Sequence, residues 1–412
     1  MTKHCRRSWA FAGALASACA EEAKDYGELV GTAYSARDMM AIVDGLGEDG
    51  LLRYWGISYG TILGMTAAAM FPDKIDRMVV DGVVNPHDYY AGIGTSMLKD
   101  SDAVFDGFLT GCMSASLELC PLQKWGLGEL SLSQVVLQLL DTIKYQPVVT
   151  GVASQPVIDY DFIKPLILDA LKSPASWQGL AFALDGLLGG NLTEAALGAA
   201  IWNTAASEGT DPRFPSAAGA ENLPGIQCSD TAMRFQDLAE MDAIAQSLYA
   251  KTALVGDVLA ASWPVTCPQW PFVAKERVQT DWNVKTRSPI MFIGNVYDPV
   301  TPLASARNAS AGFEGSAVLV QNGYGHASIA QPSLCTAKYI RAYFVNGTLP
   351  FPDTICQVDV DTFADPTSIE YFEPLSNLTA KRGMTAQPSD DERLLAGLKS
   401  LSLRWSSLKS SA

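Results

Sequence analysis

The chain has 412 residues, 48% of them hydrophobic and 18% charged, with a formal net charge of −15. That length allows a large core in one elaborate domain or two. The charge leaves no basic stripe to displace counterions from phosphates, so no nucleic-acid partner is expected; no apolar run approaches the ~18 residues of a membrane span, so no membrane partner is expected either.

The opening MTKHCRRSWAFAGALASACA has two readings. A basic head, an apolar stretch and a small-residue end suit a signal peptide cleaved near Ala20. The other reading is an alanine-rich helix with Trp9, Phe11, Leu15 and Ala18 near helical spacing, and the unbroken run into EEAKDYGELV favours it. SARDMMAIVDGL, residues 35 to 46, reads as a helix capped by Ser35 and stopped by Gly47. LLRYWGIS (51 to 58) is a short continuous apolar run of the kind buried on both faces of a sheet; YGTILGMTAAAMF (59 to 71) is helical up to Pro72, and IDRMVVDGVVNP (75 to 86) is a second buried strand. Helix and strand in quick alternation imply a parallel sheet with right-handed crossovers.

From about 88 to 285 the rhythm changes to amphipathic stretches such as LSQVVLQLLDTI, FIKPLILDALK and LAEMDAIAQSLYAK, with no convincing strand, as in a helical cap inserted between two parts of a core. The α/β rhythm returns with a strand at 288 to 298, a helix at 303 to 312, a strand at 316 to 322 and a helix at 332 to 347. The chain thus divides into a first core part (1–87), a cap (88–285), a second core part (286–360) and a polar tail (361–412) with one late amphipathic piece, ERLLAGLKSLSLRW.

The stretch YWGISYGT carries the chemistry. In G-x-S-x-G a serine sits on a sharp turn between strand and helix, and side chains two residues to either side would clash, hence Gly56 and Gly60. The turn exposes the Ser58 hydroxyl at a helix N-terminus, where the Tyr59 N–H is a natural oxyanion donor. A serine needs a base, and the base a carboxylate that orients it. Of three histidines, His4 lies in the basic head and His87 reads as a loop residue after Pro86. His326, in the glycine-bracketed NGYGHAS after a strand, is the candidate base. Asp298 ends the preceding strand and gives the order Ser, Asp, His of α/β-hydrolases; Asp81, ending its own strand, is the rival acid or else a brace beneath the elbow.

Eight cysteines without CxxC spacing favour disulfides over a metal or redox site, and sequons at Asn191, Asn308, Asn346 and Asn377 agree with a secreted glycoprotein. The spacing of Cys112 and Cys120 suits a bridge inside the cap. Neither metal nor cofactor is called for.

GISYGT, VVDGVVNP, GIQCSD, CPQWP, YDPVTPLASA and GYGHAS, in this order, resemble the α/β-hydrolases of the tripeptidyl aminopeptidase and proline iminopeptidase group, peptidase family S33, with its TAP-like C-terminal region. The resemblance covers about residues 20 to 360 and implies an α/β-hydrolase fold, with Ser58 as nucleophile, Asp298 as acid and His326 as base. It implies removal of N-terminal residues or short peptides from substrates with a free amino group, and fungal members include hydrolases of secondary-metabolite clusters. It also implies pairing of Cys228 with Cys267 and of Cys335 with Cys356, while Cys19 would pair with a segment not present here and Cys5 is an open alternative. Members of the group carry several strands and a glycine-rich, HGGPG-like loop ahead of the elbow; here Ser58 comes early, so half an oxyanion hole and weak turnover are expected. Competing readings are a carboxylesterase and an inactive remnant. An acid in the cap that pairs with a substrate ammonium would favour the peptidase, and Asp230 in QCSD is the candidate, the alternative being a loop acid beside the Cys228 bridge.

Overall fold

A computed structural model describes residues 3–151, 157–192, 219–260, 263–364 and 389–408. The N-terminal stretch is a helix, α1 (Lys3–Glu22), whose small residues Ala12 and Ala16 are buried. It lies against the 263–269 region, where the Gln269 carboxamide donates to the Trp9 carbonyl at 2.8 Å. Next come α2 (Thr32–Gly45), β1 (Leu52–Ile57), α3 (Tyr59–Met70) and β2 (Ile75–Asp81). The expected cap at Ser35 is displaced to Gly31, because Asp230, 198 residues away, accepts from the Thr32 N–H at 2.8 Å and supplies from outside the helix what a local side chain would otherwise supply. β2 stops at Asp81, earlier than expected, since Gly82 takes φ +65° and turns the chain out of the sheet.

The segment between β2 and the next long strand is mainly helical, including Ser101–Ser114, Leu132–Tyr145, Tyr160–Leu171 and Trp177–Gly189. It departs from expectation in two places. A minimal antiparallel hairpin, β3 (Val148–Val149) with β4 (Val157–Ile158), is too short for periodicity to reveal, and His87 lies in a short helix, Pro86–Ala91, capped by Asn85. The sheet resumes with β5 (Met291–Tyr297), the helix Leu303–Ser310, β6 (Ala317–Tyr324), the helix Leu334–Asn346 and the unanticipated three-residue β7 (Ile355–Gln357). The five longer-range strands are parallel in the order β1-β2-β5-β6-β7.

Both faces of β2, β5 and β6 are covered, which explains why these strands read as continuous apolar runs, whereas β1, expected to be buried on both faces, lies at the sheet edge with Arg53 and Trp55 exposed. Met78 and Val80 of β2 and Phe292 of β5 pack with Ile62 and Met65 of α3 on one side. The intervening Val79, Met291 and Ile293, with Leu319 of β6, pack against Ile340 and Tyr343 on the other. The helical segment has its own core, around Phe108, Ile167, Trp177 and Leu184. The late amphipathic piece, expected within a polar tail, is the helix Asp390–Leu408, and it packs against the 174–176 and 328–330 turns and the Leu334–Asn346 helix.

All three expected disulfides are present: Cys112–Cys120, Cys228–Cys267 and Cys335–Cys356. The sequon asparagines 191, 308 and 346 are exposed, and Asn377 lies outside the described residues. Among the described residues no helix is long and apolar enough to cross a membrane. The Cys228–Cys267 bridge closes 39 residues and sits against Trp270 and Phe272. Cys228→Ser is therefore expected to lower unfolding stability by about 2–4 kcal/mol in urea titrations, and loss of less than ~0.5 kcal/mol would show that packing alone holds the segment.

Candidate active site

Ser58 follows directly on β1 and precedes α3, with φ +56° and ψ −122°, a conformation an L-residue holds only when its surroundings enforce it. Three sets of contacts enforce it here. A Cβ at position 56 would stand 2.3 Å from the Gly60 carbonyl oxygen, so only glycine lets strand and helix approach this closely. The Tyr54 hydroxyl donates to that same carbonyl at 2.7 Å. The Ser58 carbonyl accepts from the N–H and hydroxyl of Thr61 at 2.8 and 2.6 Å, while the Ser58 N–H donates to the Asp81 carbonyl at 3.2 Å. Ser58 is partly exposed. Tyr59 opens α3, where N–H groups have no carbonyl within the helix to bond, and this amide is the oxyanion donor that the sequence suggests.

Asp298 follows β5, and His326 lies on the turn after β6, so the neighbouring parallel strands deliver both residues at their carboxyl ends. The His326 Nδ1 is 3.0 Å from Oδ2 and 3.2 Å from Oδ1 of Asp298, and Asp298 is fully buried. The carboxylate also accepts from the N–H groups of Val300 (2.9 Å), Thr301 (2.8 Å) and Ala327 (3.0 Å) and from the Thr301 hydroxyl (2.7 Å). Burial works to raise its pKa, but the His326 imidazole and these donors hold it below the ordinary carboxylate value. An ionised carboxylate only accepts, so Nδ1 presents a proton to Asp298, and in the neutral imidazole this leaves the lone pair on Nε2.

Asp81, the rival acid, braces the site instead. Its two oxygens accept from the N–H (2.9 Å) and hydroxyl (2.5 Å) of Ser328, two residues beyond His326, while its carbonyl receives the Ser58 N–H. A Cβ at the following Gly82 would lie 3.2 Å from His326 Cε1. The pair Asp81–Gly82 is therefore the seam along which the elbow and the histidine turn meet. His87 is exposed, 6.5 Å from the Trp282 ring, and the side chain of His4 lies outside those described.

Asp230 ends the helix Gly219–Asp230 and is buried. One oxygen accepts from the Thr32 N–H; the other accepts from the Thr32 hydroxyl at 2.5 Å and the Tyr89 hydroxyl at 2.8 Å. The Thr32 hydroxyl also lies 2.8 Å from that of Tyr59. Asp230 thus ties the cap to α2 and to the residue after Ser58, with both oxygens engaged by the chain itself.

Several contributors escaped the sequence reading. Thr301 places its hydroxyl 2.9 Å from His326 Nδ1. Asn295, wholly buried in β5, donates from its carboxamide to the carbonyls of Gly325 (2.8 Å) and Ala327 (2.9 Å). An asparagine inside the apolar run PIMFIGNVY was the available signal, because a buried amide requires partners.

Known proteins resemble the chain at the level of sequence. Residues 252–356 match the family model described as TAP-like protein. The chain is 26% identical over 333 residues to the serine protease Hip1 of Mycobacterium tuberculosis, an alignment covering 78% of this chain and 60% of that protein. It is 25% identical over 354 residues to the tripeptidyl aminopeptidase of Streptomyces lividans, covering 83% and 61%. The parallel sheet with its helical insertion is an α/β-hydrolase fold. Within that fold, the similarity to the TAP-like group is carried by residues 252–356, and the chain spans about 60% of the length of the curated relatives it matches.

Asp81 generates a pH test. Burial pushes its pKa up to about 6 from 3.8, against the opposing Ser328 donors. The folded state then holds the proton more tightly than the unfolded chain, so this contribution to stability is complete below about pH 4 and is lost as pH rises through about 6. The stability of the wild-type chain relative to Asp81→Asn is expected to increase between pH 7 and pH 4 in paired urea titrations. A difference independent of pH would show that Asp81 titrates normally.

Proposed function

We propose that this protein is a serine hydrolase acting on peptide bonds near a free N-terminus, with Ser58 as nucleophile, His326 as general base and Asp298 as the acid that orients it. The observation that carries this reading is the buried Asp298–His326 pair at 3.0 Å, on strand ends of the same parallel sheet whose β1 leads into a serine held at positive φ. Similarity to a serine protease and a tripeptidyl aminopeptidase supports the peptide class.

In the proposed reaction the Ser58 Oγ attacks the scissile carbonyl carbon while His326 Nε2 takes the hydroxyl proton. The carbonyl π electrons move to oxygen, and the Tyr59 N–H faces the resulting oxyanion. Collapse breaks the C–N bond, and His326 returns its proton to the departing amine, leaving an acyl-serine. Water, deprotonated by the same nitrogen, then attacks the ester and releases the acid and free Ser58. Asp298 keeps its charge throughout and stabilises the imidazolium formed in each half-reaction.

A second reading, an ester-cleaving hydrolase, is favoured by one observation: Asp230, the acid expected to meet a substrate ammonium, has both oxygens bonded within the chain. The disulfides and exposed sequons support a secretory-pathway origin.

Turnover of aminoacyl and tripeptidyl anilides, set beside simple esters, tests these readings. Ser58→Ala is expected to abolish turnover of both, and Asp298→Asn to lower kcat by a factor on the order of 10³–10⁴ with native folding retained. Turnover that survives Ser58→Ala would remove the nucleophile assignment. Cleavage of esters alone would move the substrate to the second reading.

A further inference from the structure

The turn carrying His326 is held in an unfavourable conformation, with φ +98° at Gly325 and +65° at Ala327. For alanine such a backbone persists only where neighbouring groups over-determine it. All six backbone groups of residues 325–327 are bonded. The Gly325 N–H donates to the Tyr297 carbonyl at 2.9 Å and the His326 N–H to the Lys172 carbonyl at 2.7 Å. The Ala327 N–H donates to Asp298, and Asn295 serves the carbonyls of Gly325 and Ala327. The remaining group, the His326 carbonyl, accepts from the indole Nε1 of Trp405 at 3.1 Å.

We infer that Trp405, and through it the helix Asp390–Leu408, is a positioning element of the active site: it fixes the turn that aims the His326 imidazole and completes the backbone bonding of that turn. The indole and imidazole centroids are 6.3 Å apart with planes inclined at 36°, so Trp405 stands beside the ring as well as behind the backbone. The helix meets the core near its start and around Trp405. Lys338 pairs with Asp391 at 2.6 Å near its start, and the fully buried Ser402 lies one turn before Trp405. It packs on two turns that touch the histidine loop, 174–176 from the cap side and 328–330 beyond His326. The chain's last described helix therefore acts on the same seven-residue neighbourhood, 324–330, as the cap and the β5 strand do. The consequence is that a substitution that detaches this helix releases the histidine without touching Ser58, Asp298 or His326.

The inference rests on the proposed role of His326, and the experiment separates the two. Trp405→Phe keeps an aromatic ring and removes the donor; Trp405→Ala removes both. The rate of Ser58 modification by a fluorophosphonate, kcat and KM for one chromogenic ester, and hydrogen exchange of amides 322–330 are measured for wild type and both variants. Expected for Trp405→Phe are a fall of about tenfold or more in fluorophosphonate rate and kcat, KM within about twofold, and faster exchange confined to 322–330. If wild type is modified at Ser58 and Trp405→Phe reacts and turns over at the same rate, the positioning role is overturned. If the wild-type chain is not modified at Ser58, the serine-hydrolase reading fails first and this inference with it. Should a variant lose turnover by global unfolding, exchange would rise throughout β5 and β6, and that pattern would equally overturn a role specific to the histidine turn.

Discussion

A single buried carboxylate organises this end of the molecule. Removing an ionised carboxyl from water costs several kcal/mol unless its oxygens are bonded, and Asp298 meets that cost with three backbone N–H groups, a threonine hydroxyl and an imidazole N–H. Those donors come from two turns, one after β5 and one after β6, so both must be shaped to converge on it. The adjacency of β5 and β6, the buried carboxamide of Asn295 and the positive φ at Ala327 all follow from that convergence. The same field of donors keeps Asp298 charged at neutral pH, which is the state that orients a neutral imidazole and stabilises a protonated one.

The elbow is the complementary constraint, and Asp81 joins the two. Its carbonyl accepts from the Ser58 amide, and its side chain accepts from Ser328 beyond the histidine, so one residue at the end of β2 bonds both the serine elbow and the histidine turn. A serine at positive φ stores strain, and the close packing of Gly56 against Gly60, together with the bonds from Tyr54 and Thr61, holds it there. On the outer side Asp230 ties the cap to Thr32 and, through the Thr32 hydroxyl, to the side chain of Tyr59. The segment carrying Asp230 and the residue that opens α3 are thereby joined through Thr32.

What the sequence made legible was whatever depends on neighbours along the chain. The elbow could be read because the steric demand for Gly56 and Gly60 is local, and the strands β2, β5 and β6 because burial on both faces writes a continuous apolar run; β1 was placed correctly although its Arg53 and Trp55 are exposed. What depends on distant partners was not legible. The start of α2 was misread because the Thr32 N–H is met by Asp230 rather than by a local cap at Ser35; the sequence left Asp230 open between a substrate acid and a loop acid because its donors, Thr32 and Tyr89, lie 198 and 141 residues away. The helix Asp390–Leu408 looked like part of a polar tail because nothing in ERLLAGLKSLSLRW reveals the carbonyl that Trp405 reaches. β7 and the β3–β4 hairpin are shorter than any period that could announce them.

The most direct test of the site is to locate the covalent adduct formed when the folded chain reacts with a fluorophosphonate, by mass spectrometry of its peptides. The expected result is one adduct, on Ser58, formed by the native chain and lost when the chain is unfolded before exposure. An adduct on another residue, or none under conditions where the chain is folded, would contradict the assignment of Ser58 as a nucleophile activated by the Asp298–His326 pair.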